Sequence, residues 1–570
     1  MGDVGTVIKS ISKCAGLLTF YWRLSSVFLP KKTGLFQFIS TLIIVVCLDF
    51  TISAQPYYFR HYQVENGLSN NTVYSIAQDS KGFMWFATKD GLNRFDGFNF
   101  KVFRVKGDGD KHLQTDYIYS IVKGENGSLW VGAERGLYKY NPAKETLEPF
   151  IDSLDNIYDI TMDPQGRMWF ISSNTLSRYD FSSNRLLQFP VSKYFAATSI
   201  CLEDGEIWAS SDNGFLKKYD EKTGNFSSFN LFNHSNKPAS YWIQKIHAGN
   251  NNTILAGTTN QGLKIFNTVN HQYEDVLTYN PDKTAIFVRN ILQYSPGEYW
   301  IGTETGIFIY QTDSKTFTNL RKKYQDPYSL NDNAIYALFK DKEGSIWAGT
   351  FFGGVNYYAK ENAAFRKYFP GNNENPIQGN AVREICKDEF GNLWVGTEDG
   401  GLNKISAGTG ALTNFKPTGK KNSIAYTNIH GLFADGNDLW IGTFEHGIDL
   451  MDIRSGKIIR HFAAGPGKND IKSNFALCFY KTKAGEIYIG TANGVYLYNR
   501  KAGNFSSLPK IPKNIFVTGL LEDHHNIIWA STNNDGVFWY DPADGHSGHL
   551  LKEDHNANSI SNNSVNDIFE

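Results

Sequence analysis

The residue types that most often carry out covalent chemistry are present in this chain, but without the spacing that chemistry needs. No Gly-rich loop ends in Lys to cradle a phosphate, no Gly-x-Ser-x-Gly elbow presents a serine, and no His-Glu-x-x-His sets two imidazoles on one helix face. His524 and His525 are adjacent. Neighbours on an extended segment point to opposite faces, so they do not form a chelate. Asp recurs in Asp-x-x-Gly at 79–82, 163–166, 341–344 and 388–391. Each copy offers one or two carboxylates, whereas Ca²⁺ takes about 6–8 oxygens. A turn explains the motif: Asp bonds the backbone two residues on, and Gly takes the positive φ. Cys201, Cys386 and Cys478 are widely spaced and read as core thiols. No catalytic residue, metal site or cofactor is expected.

What remains is binding chemistry. Aromatic rings can stack on a sugar ring while polar groups fix its hydroxyls. The candidates are Tyr241, Trp242, Arg289, Phe351 and Phe352 in the first part of the chain, and Phe444, Glu445 and His446 in the second. The competing reading is that these aromatics plug an axis or pack between domains. They stand out because each departs from a repeat, and the repeat must position them.

That repeat centres on a tryptophan: LWVGAERG from Leu129, YWIGTETG from Tyr299, IWAGTFFGG from Ile346, LWVGTEDGG from Leu393 and their relatives. The Trp position falls at 85, 130, 169, 208, 255, 300, 347, 394, 440, 488 and 529, with Leu255 and Tyr488 as replacements. Self-similarity at roughly 40–50 residues marks propellers and solenoids. Each copy has an apolar first strand, the Asp-x-x-Gly turn, the Trp strand, a short turn ending in Gly, a third strand, and a fourth such as 99–104 or 364–369. Four hairpin-linked strands make one antiparallel propeller blade. The first two strands are apolar on both faces, which fits sheets stacked face to face, with Trp as filler between blades. The Gly two positions after Trp allows close approach near the axis. Recognition is then left to the loops that precede the first strand and those that join the second to the third.

The pattern resembles the two-component regulator propeller repeat. Asn380–Ile405 (NAVREICKDEFGNLWVGTEDGGLNKI) matches that family's grammar almost throughout, and Asn333–Tyr358 and Asn71–Phe95 nearly as well. The resemblance covers about residues 57–570. It implies the periplasmic sensor region of a hybrid histidine kinase, a family with fourteen repeats in two seven-bladed propellers. It further implies a set of output parts: an immunoglobulin-like domain, one membrane span, kinase, receiver and DNA-binding domains. Many such regions sense oligosaccharides and switch on the matching utilisation genes, and dimerised ectodomains are thought to rearrange on binding.

Counting copies gives the expected organisation. The fold class is all-β: tandem β-propellers of four-stranded antiparallel blades, the first seven-bladed and the second incomplete. Residues 55–362 make the first, and 363–570 supply four blades and the first strand of a fifth, Asn563–Glu570. The chain is therefore expected to be a fragment, with kinase and membrane tether beyond it. Lys31 and Lys32, the apolar run 35–48, and Ser53-Ala54 read as an export signal with an N-terminal extension, 1–54. The run is shorter than the roughly 18 residues of a membrane span. Lys+Arg is 56 and Asp+Glu 57, so no basic surplus points to nucleic acid. The expected partners are an oligosaccharide and a second copy of the intact receptor. Two other readings stay open: an extracytoplasmic lyase of the streptogramin-inactivating kind, whose propeller needs a converging His and Glu set, and a stand-alone protein-interaction scaffold.

Overall fold

The structure, a computed structural model, describes residues 57–104, 116–124, 127–233, 238–359, 367–371 and 376–570. The expected export signal, 1–54, lies outside them. Residues 57–570 form one compact unit. Among the described residues there are 44 strands and one short 3-10 turn, Val64–Asn66. No helix among them is long and apolar enough to cross a membrane.

The strands sort into eleven four-stranded antiparallel sheets. Ten are formed by four consecutive strands, as the hairpin grammar requires. The inner strands of the first seven blades are Val73–Gln78, Ile118–Lys123, Ile157–Met162, Ala197–Glu203, Ile243–Ala248, Val288–Ser295 and Ile335–Lys340. Each packs against the inner strand of the next blade, and the seventh packs against the first, so these seven close a ring. The inner strands Val382–Lys387, Ile429–Asp435, Ala476–Lys481 and Val517–Glu522 follow as an open series of four blades.

The seventh blade corrects the expected fourth strand at 364–369. Residues 364–366 are not among those described, and 367–369 form no strand. Its outer position is taken by Arg60–Tyr62, which pairs with Val355–Tyr358 through Arg60↔Tyr357 and Tyr62↔Val355. The N-terminal segment thereby covers an edge that would otherwise be open. A second difference lies at Asn563–Glu570, which is not in a ladder. It keeps the junction bonds of the repeat, Gly536 N–H to Asn563 O and Val565 N–H to Thr532 O. Among the described residues no second strand lies beside it.

Packing follows the sequence pattern. Trp85, Trp169, Trp208, Trp300, Trp394 and Trp440 are among the largest fully buried side chains. Trp85 meets Tyr140 of the next blade at 4.6 Å and Trp169 meets Tyr219 at 5.0 Å. A Cβ on Gly349 would lie 2.7 Å from Val73 of the following blade, so glycine is what lets the ring close at that point. The Asp-x-x-Gly turns form as read: Asp341 Oδ1 accepts from Ser345 N, and its other oxygen accepts from Trp347 Nε1, at 2.8 Å each. Cys201 is buried, and Cys386 and Cys478 are partly so, all on inner strands. Burial pushes all three thiols up, Cys386 and Cys478 to about 12.

Candidate functional site

Each of the eleven inner strands carries a β-bulge at the same place, between the residue opposite the end of the Trp strand and the one two positions on. A bulge inserts one extra residue and re-aims its side chain. In the ring of seven these residues are Tyr74, Tyr119, Tyr158, Thr198, Gln244, Arg289 and Tyr336. The bulges lie at the strand entrance, on the rim that also carries the loops between second and third strands. Backbone bonds tie those two loop sets together, for example Lys89 N–H to Thr72 O and Phe351 N–H to Ala334 O.

The tyrosines form a continuous crescent on that rim. Phe352 meets Phe351 at 4.5 Å, and Phe351 stacks on Tyr336 at 5.1 Å. Tyr336 meets Tyr74 at 6.0 Å, Tyr74 meets Tyr119 at 5.5 Å, and Tyr119 meets Tyr158 at 5.0 Å. Arg289 extends it into the sixth blade, with its guanidinium 4.5 Å from the Tyr336 ring centre and 3.7 Å from that of Phe287. Phe352 is 73% exposed and Tyr158 46% exposed. Burial raises the hydroxyl pKa of Tyr74, Tyr119, Tyr158 and Tyr336, so each remains a protonated donor.

In the ring the next residue is polar in six of the seven blades (Ser75, Ser120, Asp159, Ser199, Lys245 and Asn290, with Ala337 in the seventh), and these build a polar layer beneath. Lys245 pairs with Asp159 at 2.9 Å, and the same carboxylate accepts from Ser199 Oγ at 2.8 Å and Ile200 N at 3.1 Å. Ser199 Oγ in turn accepts from Ile246 N, and Ser75 Oγ accepts from Ile121 N. These bonds lace consecutive blades and satisfy backbone donors near the axis.

Of the residues singled out in sequence, Arg289, Phe351 and Phe352 lie in this crescent. Tyr241 and Trp242 precede the inner strand of the fifth blade on the same rim. Tyr241 lies edge-on to Phe232 at 5.3 Å, and among the described residues no ring contact joins Tyr241 or Trp242 to the crescent. In the open series, Phe444 meets Phe475 at 4.9 Å and His430 at 5.8 Å, and Phe475 meets Phe516 at 5.6 Å. Arg383 pairs with Glu398 at 3.2 Å and bonds His430 Nδ1 at 3.1 Å. Burial, then Arg383, lowers the His430 pKa, so it is the neutral acceptor in that bond. His446 stacks on Tyr426 at 3.9 Å, and exposed Glu445, between Phe444 and His446 in sequence, has φ 56°. Sequence reasoning missed Tyr74, Tyr119, Tyr158 and Tyr336. Their signal was available: in Val73-Tyr-Ser-Ile76 the buried positions are three apart, a spacing an unbroken strand does not give.

A family described as "Two component regulator propeller" matches residues 67–90, 329–352 and 376–399. Over 76 residues the chain is 36% identical to Histidine kinase P4 of Formosa agariphila, a match covering 13% of this chain and 5% of that relative's length. The solved extracellular domain of the hybrid two component system BT3049 from B. thetaiotaomicron is similar in fold, with 21% identity, a TM-score of 0.59, and coverage of 88% of this chain and 74% of that one. The extracellular domain of the hybrid two component system BT4673 from B. thetaiotaomicron has 20% identity and a TM-score of 0.48, covering 87% of this chain and 73% of that one.

Proposed function

We propose, from the premise that three segments of this chain are two-component regulator propeller repeats, that it is the ligand-sensing region of a hybrid two-component sensor histidine kinase. In this reading residues 55–362 are a seven-bladed propeller, and 363–570 belong to a second. The region stands on the periplasmic side of the inner membrane, exported by its leader, and acts within a membrane-tethered homodimer. Its ligand is an oligosaccharide, and binding controls transcription of utilisation genes through a phosphorelay.

One observation carries the reading. In the ring the blade faces are taken up by packing, yet a row of aromatic rings stands on the axial rim, with Phe352 73% exposed and Tyr158 46% exposed. Amphipathic rings placed beside polar groups and left unburied suit a ligand with both apolar faces and hydroxyls. A thermal-shift screen of the whole chain against a panel of oligosaccharides tests it. A stabilising shift that saturates with concentration is expected, since a ligand that binds only the folded state raises the melting temperature. Absence of a shift with every glycan would remove the oligosaccharide from the reading.

A further inference from the structure

We infer that the bulge-borne crescent of the seven-bladed ring is a binding site for an unbranched, uncharged oligosaccharide that lies along the rim, one unit per ring, instead of entering the axis. This rests on the oligosaccharide reading above and adds the site, the shape of the chain and its charge.

Shape comes from the spacing. Rings follow one another at 4.5–6.0 Å from Phe352 through Phe351, Tyr336, Tyr74 and Tyr119 to Tyr158. They belong to four consecutive blades, the seventh, first, second and third, and the series stops where Thr198 and Gln244 take the bulge position. A disaccharide spans only two neighbouring rings, whereas a longer linear chain reaches them all. A branch would meet either the rim loops or the polar layer beneath.

Charge comes from pairing. The Arg289 guanidinium, which stacks on Tyr336, is held by Glu304 through Nε at 2.6 Å. Beneath the crescent Lys245 and Asp159 neutralise each other at 2.9 Å, with Asp159 also held by Ser199 and Ile200. The rim's other charges are of opposite sign, Lys89 Nζ at 5.4 Å from the Tyr117 ring and Glu134 near Tyr119 and Tyr158, and the tyrosine hydroxyls stay protonated, so the crescent answers sugar hydroxyls and offers no net charge to select a charged chain. The open series has no row of bulge-borne tyrosines: its bulge residues are Arg383, His430, Leu477 and Thr518.

The test uses the whole chain on an array of unbranched neutral glucans, mannans and xylans, from disaccharides to hexasaccharides, beside sulfated and uronate-containing chains of the same lengths. Hits are then titrated with Tyr158→Ala, Phe352→Ala and, as control, Phe475→Ala. The first two rings are exposed, so their removal leaves the core packing in place; an unchanged melting temperature confirms it. The expected result is neutral linear hits whose affinity climbs with length, the longest about tenfold weaker in each crescent variant and all unchanged in Phe475→Ala. Phe352 and Tyr158 lie at opposite ends, so a short chain loses affinity in one variant only, and a long chain in both. Hits that both crescent variants retain would overturn the site while leaving oligosaccharide sensing intact. Hits confined to charged chains would overturn the charge inference. An array with no hits at all would overturn the sensing reading and this inference with it.

Discussion

Asp341 does two things with one carboxylate: it holds the turn through Ser345 N–H and it accepts from the Trp347 indole, while its backbone carbonyl accepts from Gly344, which turns the chain at positive φ. Asp79, Asp163, Asp388 and Asp523 bond their tryptophans in the same way at 2.8–2.9 Å, and Glu298 substitutes for them at Trp300. Trp208 and Trp440 follow shortened turns, at Asp204-Gly205 and Asp435-Gly436, and their buried indole nitrogens lack a partner among the described residues. Removing the acceptor elsewhere should therefore recreate that state and lower stability. Asp341→Ala is expected to destabilise the ring by about 2–4 kcal/mol, because it strands a buried indole and loses the turn bonds. Trp208→Phe, which removes an indole nitrogen that has no partner, should lose less than Trp347→Phe. Guanidinium unfolding of these three variants and the wild type, followed by tryptophan fluorescence and far-ultraviolet dichroism, gives both comparisons; equal losses at 208 and 347 would refute the role of the bond. A second residue sets a pH dependence. Burial lifts the Glu384 carboxyl to about 7, Asp567 adds to the lift and Arg383 opposes it. The folded state therefore prefers the protonated form, and that stabilisation is complete below the ordinary value of 4.5 and lost as pH rises through about 7. Glu384→Gln should show a melting temperature that gains on the wild type between about pH 5 and 8; a constant difference across that range would refute it.

At the scale of the element, the hairpin grammar makes the blades legible in the residues themselves. Trp, the Asp turn and the glycine spacing are local, and local signals survive in a single sequence. The bulge is also local, but it shows itself only as an odd interval between Val73 and Ile76. The tyrosines it re-aims sit inside strands, where an aromatic ring looks like core and not like a departure from the repeat. What the repeat does not carry is the outer strand of the seventh blade. Residues 364–369 have the right spacing, but Arg60–Tyr62 wins the position, with Phe59 N–H bonded to Tyr328 O and His61 to Ser329 O as well. A pairing between the two ends of a ring has no sequence neighbour to announce it. Third-strand asparagines illustrate the same limit: Asn93, Asn356 and Asn403 each accept the N–H of the segment entering the blade, Ser69, Asn331 and Gln378. Deleting residues 57–62 uncovers the edge at Val355–Tyr358. The shortened protein is expected to melt at lower temperature and to aggregate with concentration in light scattering; an unchanged melt would show that this strand does not close the ring.

The whole molecule joins a closed ring to an open series, and exposure reports the difference. Val73 and Ile76 in the first blade are 0% and 7% exposed, whereas their counterparts Val382 and Ile385 in the eighth are 49% and 59% exposed. No described blade covers that face. In a repeat array each unit is stabilised by its neighbours, so the units without one are weakest. Hydrogen exchange followed by mass spectrometry should find Val382–Lys387 and Val517–Glu522 exchanging before the inner strands of the ring. Residues 365–570 expressed alone are expected to be poorly soluble for the same reason; a soluble, cooperatively melting product would contradict it. The closing strand also has a consequence in time. Arg60–Tyr62 is among the first of the described residues to leave the ribosome, but its partner Val355–Tyr358 is among the last of the ring. Loop closure itself adds little with length. Through nearly all of the ring's synthesis, however, an early strand has no mate. Its length of three residues and the charged Arg60 make it a poor template for a wrong partner during that wait.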